Sequence, residues 1–534
     1  MTYDVAIVGA GPVGLMLANL LGVYGVRTVV LERKAATVDE PRAIAIDAES
    51  LRAVRAVGLY DAVAPDLLLG FSVDYVNGRG TPLLHVELGQ TPYGHAQQNA
   101  FHQPLLEQAL AGGLTRFPHV DVRFGHAVER FDATADAVTV FGAAADGTPF
   151  SCVAQYLVGC DGGRSPVRQA LGIEMHGKSA PQRWLVIDTI DPFLAASMEC
   201  RFFCDPRRPA MTLRKQHQRR RWEWMLMPDE SEADLLDDGM IARLLMPYTR
   251  PQHVQLERQC VYTFHSLVAD RYRAGRVMIA GDAAHMMPPF AGQGMNGGIR
   301  DAVNIAWKLA LVTRGYAAPA LLDSYEQERR GHVIAATALA NRLGAMIQPT
   351  SRWRAALRDA FFFCLNRSRR GQVALLRRLM GTLIAPRLRR GVFVAASNTG
   401  GDVALSGQMI VQPPVRCADG STVLLDAVLG AEHAVVGYGV DPRDALDAAT
   451  QHRLATLGAR LVCVMPRGVA PSGDAVEDGS GGLGTWFGAC AERLVLIRPD
   501  RFCAAQFTAA TAAQTLAAYT TRLQVRVAEA RAAA

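Results

Sequence analysis

The stretch Gly9-Ala10-Gly11-Pro12-Val13-Gly14 restricts the fold of this chain more than any other, because of what lies on either side of it. Residues 3–8 are a short apolar run of strand length, and an apolar helical pattern follows the glycines to about residue 24. A second strand, residues 27–31, then ends at Glu32. Strand, glycine loop, helix, strand and terminal acid together specify a parallel βαβ unit that binds a dinucleotide. The glycines Gly9, Gly11 and Gly14 permit a tight turn and let a pyrophosphate reach the helix amino end, while Glu32 stands ready for ribose hydroxyls. Pro12 and Val13, with Glu32 followed by Arg33, favour the FAD form of this unit over the NAD form.

Two later stretches repeat the theme. Residues 156–160 form a buried strand that runs into Asp161-Gly162-Gly163 and on to Arg168. Residues 277–280 form another, closed by Gly281 and Asp282, and are followed by a Pro/Gly loop containing Pro288, Pro289, Gly292 and Gly294. From about Gly298 the spacing of Ile299, Val303, Ala306, Trp307 and Ala310 is helical. A helix amino end at that loop can stabilise an anionic ring or oxygen, as the edge of a reduced flavin would be. Asp282, at the end of its strand, is placed to accept a hydrogen bond from a sugar hydroxyl. Arg42 follows the second strand closely enough to reach a phosphate, and Gln103, ahead of a helix over residues 105–114, can meet a ribityl hydroxyl or a flavin edge.

At 534 residues the chain calls for two or three domains, and with 50% apolar and 20% charged residues it has ample core. No long uncharged apolar run is present and residues 1–20 enter a strand and loop directly, so neither a leader nor a spanning helix is expected, and the expected location is cytoplasmic. Ten cysteines without CxxC spacing or His/Cys clusters indicate no metal site and no disulfide framework. The net charge of +6 is local: residues 351–390 hold eleven arginines against the single acid Asp359. Phe361-Phe362-Phe363 lies among those arginines; a packed helix pair or a subunit contact is favoured there, an anionic membrane surface is the minor alternative, and no nucleic-acid module accompanies the charge.

The three strand-to-glycine segments, in this order, resemble the single-component flavoprotein aromatic hydroxylases. Within that family residues 1 to about 395 are most similar to the 3-(3-hydroxyphenyl)propionate hydroxylases, through PRAIAID at 41–47, NAFHQP at 99–104, CDPRRP at 204–209 and AGDAAHMMPPFAGQGMNGGIRDAVNIAWKLAL at 280–311. Gly297 departs from the pattern, since relatives commonly have Ser or Thr there. The resemblance implies an α/β architecture: a Rossmann-type FAD-binding domain interleaved with an antiparallel-sheet substrate domain, plus a thioredoxin-like C-terminal domain, here without CxxC. The expected division is 1–180 for the first part of the FAD-binding domain, with inserted strands near 71–98, and 181–270 for the substrate sheet. Residues 271–345 would return to the FAD-binding domain and end in a long helix, 346–398 would be an arginine-rich helical segment, and 399–534 the C-terminal domain.

The activity implied is NAD(P)H- and O2-dependent ortho-hydroxylation of a phenol through a flavin hydroperoxide, with 3-(3-hydroxyphenyl)propionate as the first substrate to consider. A hydroxylase or epoxidase of a larger polyketide or alkylphenol is the alternative, and a flavin-binding protein without turnover is the reading from a different class. To the cofactor residues above the resemblance adds Met295 and Asn296, beside Pro289, Gly292 and Gly294. No signature identifies the group that takes the phenol proton; Asp47, His102 and Tyr262 are the candidates. Arg208 and Arg214, on the expected sheet, are the candidates for a substrate carboxylate. A homodimer is one use for the C-terminal domain.

Overall fold

The computed structural model describes residues 2–191, 199–368, 370–375, 387–394, 405–488 and 493–524. Arg369, Arg377 and Arg378 of the arginine-rich stretch, and the expected boundary at 398–399, lie outside the described residues.

The first sheet is built on Thr2–Val8, whose alternation is almost wholly buried and which pairs in parallel with Thr28–Glu32 and Pro149–Gly159. Val277–Ile279 joins the far side of Pro149–Gly159, also in parallel, and Val120–Phe124 extends the other edge beyond Thr28–Glu32. Parallel strands buried on both faces need helices over them. Here Pro12–Val23 and Gly294–Thr313 pack against each other over the sheet, the first starting with proline at a position where no N–H is needed. Two glycines make the close approaches possible: a Cβ on Gly14 would stand 2.0 Å from the Gly9 carbonyl oxygen, and one on Gly9, at φ +104°, 2.4 Å from that of Cys160.

The second sheet runs in the order His285–Met286, Gln255–Ala269, Met175–Ile190, Arg219–Met225, Ala210–Arg214, Cys200–Cys204, Val73–Asn77, Pro82–Val86. Two features differ from expectation. The strand pair at 71–98, assigned above to the FAD-binding part, belongs to this sheet; and Cys200–Cys204 pairs with Val73–Asn77 in parallel, so the sheet is mixed. The reason is packing. Tyr75 and Phe202 on the joined strands stack with ring centroids 5.0 Å apart, burying two aromatic faces that would be left open if the pair stayed with the first sheet.

A third, seven-stranded sheet lies within residues 414–507 and combines parallel and antiparallel pairs, with Ala434–Tyr438 parallel to Arg460–Met465 and antiparallel to Leu494–Ile497. The core does not stop at its border. The large apolar cluster that contains Trp307 of the Gly294–Thr313 helix also contains Tyr519 and Leu523 of Ala512–Leu523. No helix among the described residues is long and apolar enough to cross a membrane, and no group of three or more His, Cys, Asp or Glu residues among them could hold a metal.

Candidate functional site

Two cavities meet at the loop before Gly294. The first, about 510 Å³, runs from Glu32 and Arg33 past Gly9, Gly11 and Asp161 to Asp282, Gly294 and Met295. Helix amino ends open onto it at both places: neither Pro12–Val23, capped by Gly11, nor Gly294–Thr313, capped by Gln293, has a side-chain cap, so their first N–H groups are available to an anion. A Cβ on Gly11 would meet nothing within 4 Å, so the backbone there faces open space. Elongated, with an acid at one end and two uncapped helix ends along it, this cavity fits FAD.

The sequence-derived cofactor residues are brought together with different degrees of freedom. Glu32 accepts hydrogen bonds from the Ala10 and Lys34 N–H groups at 2.8 and 2.9 Å, which holds its carboxylate at the cavity wall. Gln103 is spent on the chain: its Oε1 accepts from the Ala43 N–H at 2.6 Å and its Nε2 donates to Glu107 at 2.6 Å, so it positions the Arg42-Ala43 segment. Asp161 accepts from the Val167 N–H at 3.0 Å with one oxygen, while its other oxygen is buried without a partner. Asp282 is exposed toward the cavity, and Arg42 and Arg33 are exposed on its wall. Asn296 does not line it. Its amide ties the loop instead, accepting from the Asp47 N–H at 3.1 Å and the Ser50 hydroxyl at 2.7 Å and donating to the Ala45 and Gly292 carbonyls. Gly292, at φ +62°, makes the turn, and Pro289 and Gly292 face the second cavity.

A buried triad supports this loop from beneath. Asp301 accepts from the Gly281 N–H at 3.1 Å, contacts His285 Nε2 at 2.6 Å and receives Arg329 Nε at 2.8 Å, and Arg329 reaches on to the Gly297 carbonyl. Despite its burial, His285 and Arg329 bring the Asp301 carboxyl down to about 2. A Cβ at Gly297 would sit 3.2 Å from the His285 ring, so the departure at this position relieves contact with the triad.

The second cavity, about 280 Å³, lies under the second sheet and shares Arg42, Ala43, Met287, Gly294 and Met295 with the first. Its walls are apolar, with Phe71, Tyr75, Phe202, Met211 and Phe264 among them. Two of its polar groups, Arg221 and Glu223, come from one strand. Alternation along Arg219–Met225 sends Arg221 and Glu223 to the cavity face and Arg220 and Trp222 to the other. Arg221 is committed: it pairs with Asp188 at 2.6 Å and donates to the Arg42 carbonyl at 2.6 Å, pinning that loop to the sheet. Glu223, 6% exposed, has Arg221 only at 3.9 Å. Burial pushes its carboxyl up to about 7, opposed by Arg221 and assisted by Asp188. Sequence reasoning passed over Glu223, although an acid between two tryptophans in a strand was the available signal.

The other candidates are dispersed. Asp47 caps the helix Ala48–Ala56 through the Ser50 N–H and pairs with Arg300; it lines neither cavity. His102 lines neither, and burial brings its imidazole down to about 4. Tyr262 does line the second cavity, with its hydroxyl receiving Arg258. Of the carboxylate candidates, Arg208 is paired with Glu230 at 2.8 Å, Arg214 ends its strand, and neither lines either cavity.

Residues 2–340 match the family model described as FAD binding domain, and residues 407–522 match the HcaD C-terminal domain. A 3-(3-hydroxy-phenyl)propionate/3-hydroxycinnamic acid hydroxylase of Klebsiella pneumoniae is 40% identical over 94% of this chain and 92% of its own length. A hydroxylase of the same name, numbered 2, from Burkholderia vietnamiensis is 39% identical over 97% of this chain and 96% of its own. Among solved structures, the anhydrotetracycline hydroxylase OxyS of Streptomyces rimosus superposes with a TM-score of 0.74 at 27% identity, covering 98% of this chain and 99% of that one.

Proposed function

This chain belongs to the FAD binding domain family and is an FAD-dependent aromatic hydroxylase, and from that premise we propose that it ortho-hydroxylates a single-ring phenolic acid, with 3-(3-hydroxyphenyl)propionate as the leading substrate. The observation that supports this substrate class most directly is the second cavity. At about 280 Å³ it is just below the usual range of ligand sites, roughly 300–1,000 Å³, which favours one ring over a polycyclic polyketide. Bound FAD, reduced by NADH or NADPH, supplies the activation of dioxygen. The amino end of Gly294–Thr313 stabilises negative charge at the shared wall, and Asn296 and the Asp301 triad keep that end in place. The apolar walls exclude water.

Glu223 takes the phenol proton in this reading, since it lines the cavity and its carboxyl titrates near neutral pH. Tyr262 orients the ring hydroxyl, while Asp47 and His102 keep structural roles. Arg42 meets the substrate carboxylate, because the one other cation on the wall, Arg221, is held by Asp188. Gly9, Gly11, Glu32, Arg33, Asp161 and Asp282 line the cofactor's cavity and hold it, and Gly14 lets the helix approach the Gly9 carbonyl beneath it. Residues 405–524 are read as a thioredoxin-like domain with a structural role: a mixed sheet with flanking helices, and no disulfide among its described cysteines.

The test is NADH and NADPH oxidation by FAD-loaded enzyme across phenolic acids and alkylphenols, with catechol and peroxide both measured. Acceleration by a phenolic acid, with catechol formed in step, is expected. Peroxide as the main product from every compound would remove the substrate assignment. Arg42→Ala should raise KM for phenolic acids but not for neutral phenols; a fall in FAD affinity alone would return Arg42 to the cofactor.

A further inference from the structure

The helix Arg352–Leu365 has its polarity inverted. Its inward stripe is set by Ala355 and Phe362, both buried, and Phe362 belongs to the apolar cluster that holds Tyr75 and Phe202 of the second sheet. Arg358 and Asp359, the two charges in the middle of the helix, are turned toward the protein as well. They pair at 2.8 Å, Arg358 donates to the Cys204 carbonyl at 2.7 Å, and Asp359 accepts from the Asn77 amide at 3.0 Å. The opposite stripe, at i, i+4 and i+8, is Trp353, Leu357 and Phe361, exposed by 63%, 62% and 54%. Ala356, Ala360 and Cys364 are exposed beside them, and Phe363 on the flank is 59% exposed. A surface helix ordinarily turns charge to water and apolar side chains to the core, yet between residues 355 and 366 no charged side chain is exposed here. Every exposed Trp or Phe among the described residues belongs to this helix, so the patch is concentrated rather than scattered.

Cations stand at both ends of the patch. Arg352 and Arg354 lie at its start and Arg367 and Arg370 beyond its end, all four exposed and none in an ion pair among the described residues. The Arg354 guanidinium is 5.4 Å over the Trp353 ring and that of Arg367 is 4.4 Å over the Phe363 ring, so each end joins a cation to an aromatic face.

We propose that this face docks on an anionic lipid bilayer, with the helix lying in the plane of the surface. Trp353, Leu357, Phe361 and Phe363 enter the boundary between headgroups and acyl chains, and the arginines stay with the lipid phosphates. Fourteen residues make a helix about 21 Å long, which is too short to span and suited to lying flat. Charge decides between this occupant and a second copy of the chain. Any two-fold pairing of the stripe, parallel or antiparallel, sets arginines of one copy against arginines of the other, and the helix exposes no acid to answer them. An anionic lipid surface answers them directly. The contact falls on the half of the molecule that houses the second cavity, since Asn366, at the end of the helix, donates to the Leu83 carbonyl of the second sheet at 3.2 Å.

Cosedimentation of the FAD-loaded full chain with vesicles tests this without turnover. Binding at low ionic strength is expected to vesicles of phosphatidylglycerol and phosphatidylcholine in equal parts, and at least tenfold weaker binding to phosphatidylcholine alone. The double variant Leu357→Ser with Phe361→Ser should bind the mixed vesicles at least tenfold more weakly, as should Arg367→Gln with Arg370→Gln. All four positions are exposed, so melting temperatures and FAD binding should stay at wild-type values and show that the variants are folded. Brominated lipid should quench part of the tryptophan emission, and Trp353→Phe should abolish that quenching, because the other tryptophans are shielded by the protein. Absence of binding to the mixed vesicles, equal binding to neutral ones, or binding within twofold of wild type in both double variants overturns the proposal. A dimer in sedimentation velocity that Leu357→Ser with Phe361→Ser dissociates would give the face to a second copy and overturn it as well.

Discussion

In the proposed reaction Glu223 is the residue on which the chemistry turns. Replacement by Gln keeps its volume and removes its proton acceptor, so kcat should fall by roughly 10²–10⁴-fold. In the wild type kcat should rise with pH through about 7 and then level; steady-state rates from pH 5.5 to 9 check both, and the Gln variant should lose the inflection. Stability runs the other way. The folded carboxyl titrates near 7, above its ordinary 4.5, so unfolding releases a proton between those values and this group's contribution declines across that window before levelling. Denaturant midpoints of the Gln variant should lack that decline. Two glycines give a sharper contrast. Alanine at Gly298 would bring its Cβ to 2.4 Å from Val13 and 3.0 Å from the Gly281 backbone, an overpacking of about 1–3 kcal/mol that should lower the melting temperature of apoprotein and holoprotein alike. Alanine at Gly11 meets no protein atom within 4 Å, so it should leave the apoprotein's melting temperature unchanged and lower FAD affinity. These contacts are not in the motif itself. GxGxxG marks all its glycines alike, and only the packed chain distinguishes those that face backbone from the one that faces the cofactor's space.

At the level of elements, the loop from Pro288 to Gly294 is as stiff as its ties. Asn296 makes four hydrogen bonds to the loop and to the segment around Ala45 and Asp47. Asn296→Ala should therefore leave buried backbone groups unpaired at about 1–3 kcal/mol each, loosen the helix amino end and raise the fraction of NAD(P)H spent on peroxide. A peroxide assay beside catechol yield measures it, and unchanged coupling would show that the loop is held elsewhere. The strands and helices of this region were legible from periodicity and from the glycine and proline punctuation. The destination of the 71–98 strand pair was not, because pairing of Val73–Asn77 with Cys200–Cys204 joins residues more than a hundred positions apart and no local pattern records it. For the same reason Arg208 and Arg214 looked suitable from their strand alone, whereas the Glu230 partner of Arg208 and the path of the cavity are properties of the assembled sheet.

Across the whole molecule, the C-terminal part is fastened by buried charge. Glu328 receives Arg498 at 2.7 and 2.8 Å and Lys308 at 2.8 Å, with all three side chains fully buried. Glu328→Ala strands Lys308 and leaves Arg498 with Asp500 alone, and should cost about 3–5 kcal/mol, read as a fall in melting temperature. Arg501 and Arg52 bring the Asp426 carboxyl down to about 2 against its burial. Because that folded value lies below the ordinary carboxylate range, the stability it contributes is complete above that range and is lost as pH falls toward about 2; Asp426→Asn should remove that part of the acid dependence, seen by denaturation from pH 5 to 2. By itself the sequence determined the βαβ unit, the FAD motif, the helix that opens onto the cofactor cavity and the family, since each depends on periodicity, glycine placement or a contiguous motif. The tertiary structure alone decided which acid lines the second cavity, which arginine on its wall is held by a carboxylate, and which sheet the 71–98 strand pair joins. Those depend on which side chains are already paired or buried by distant segments, and burial and pairing are settled only when strands far apart in the chain meet.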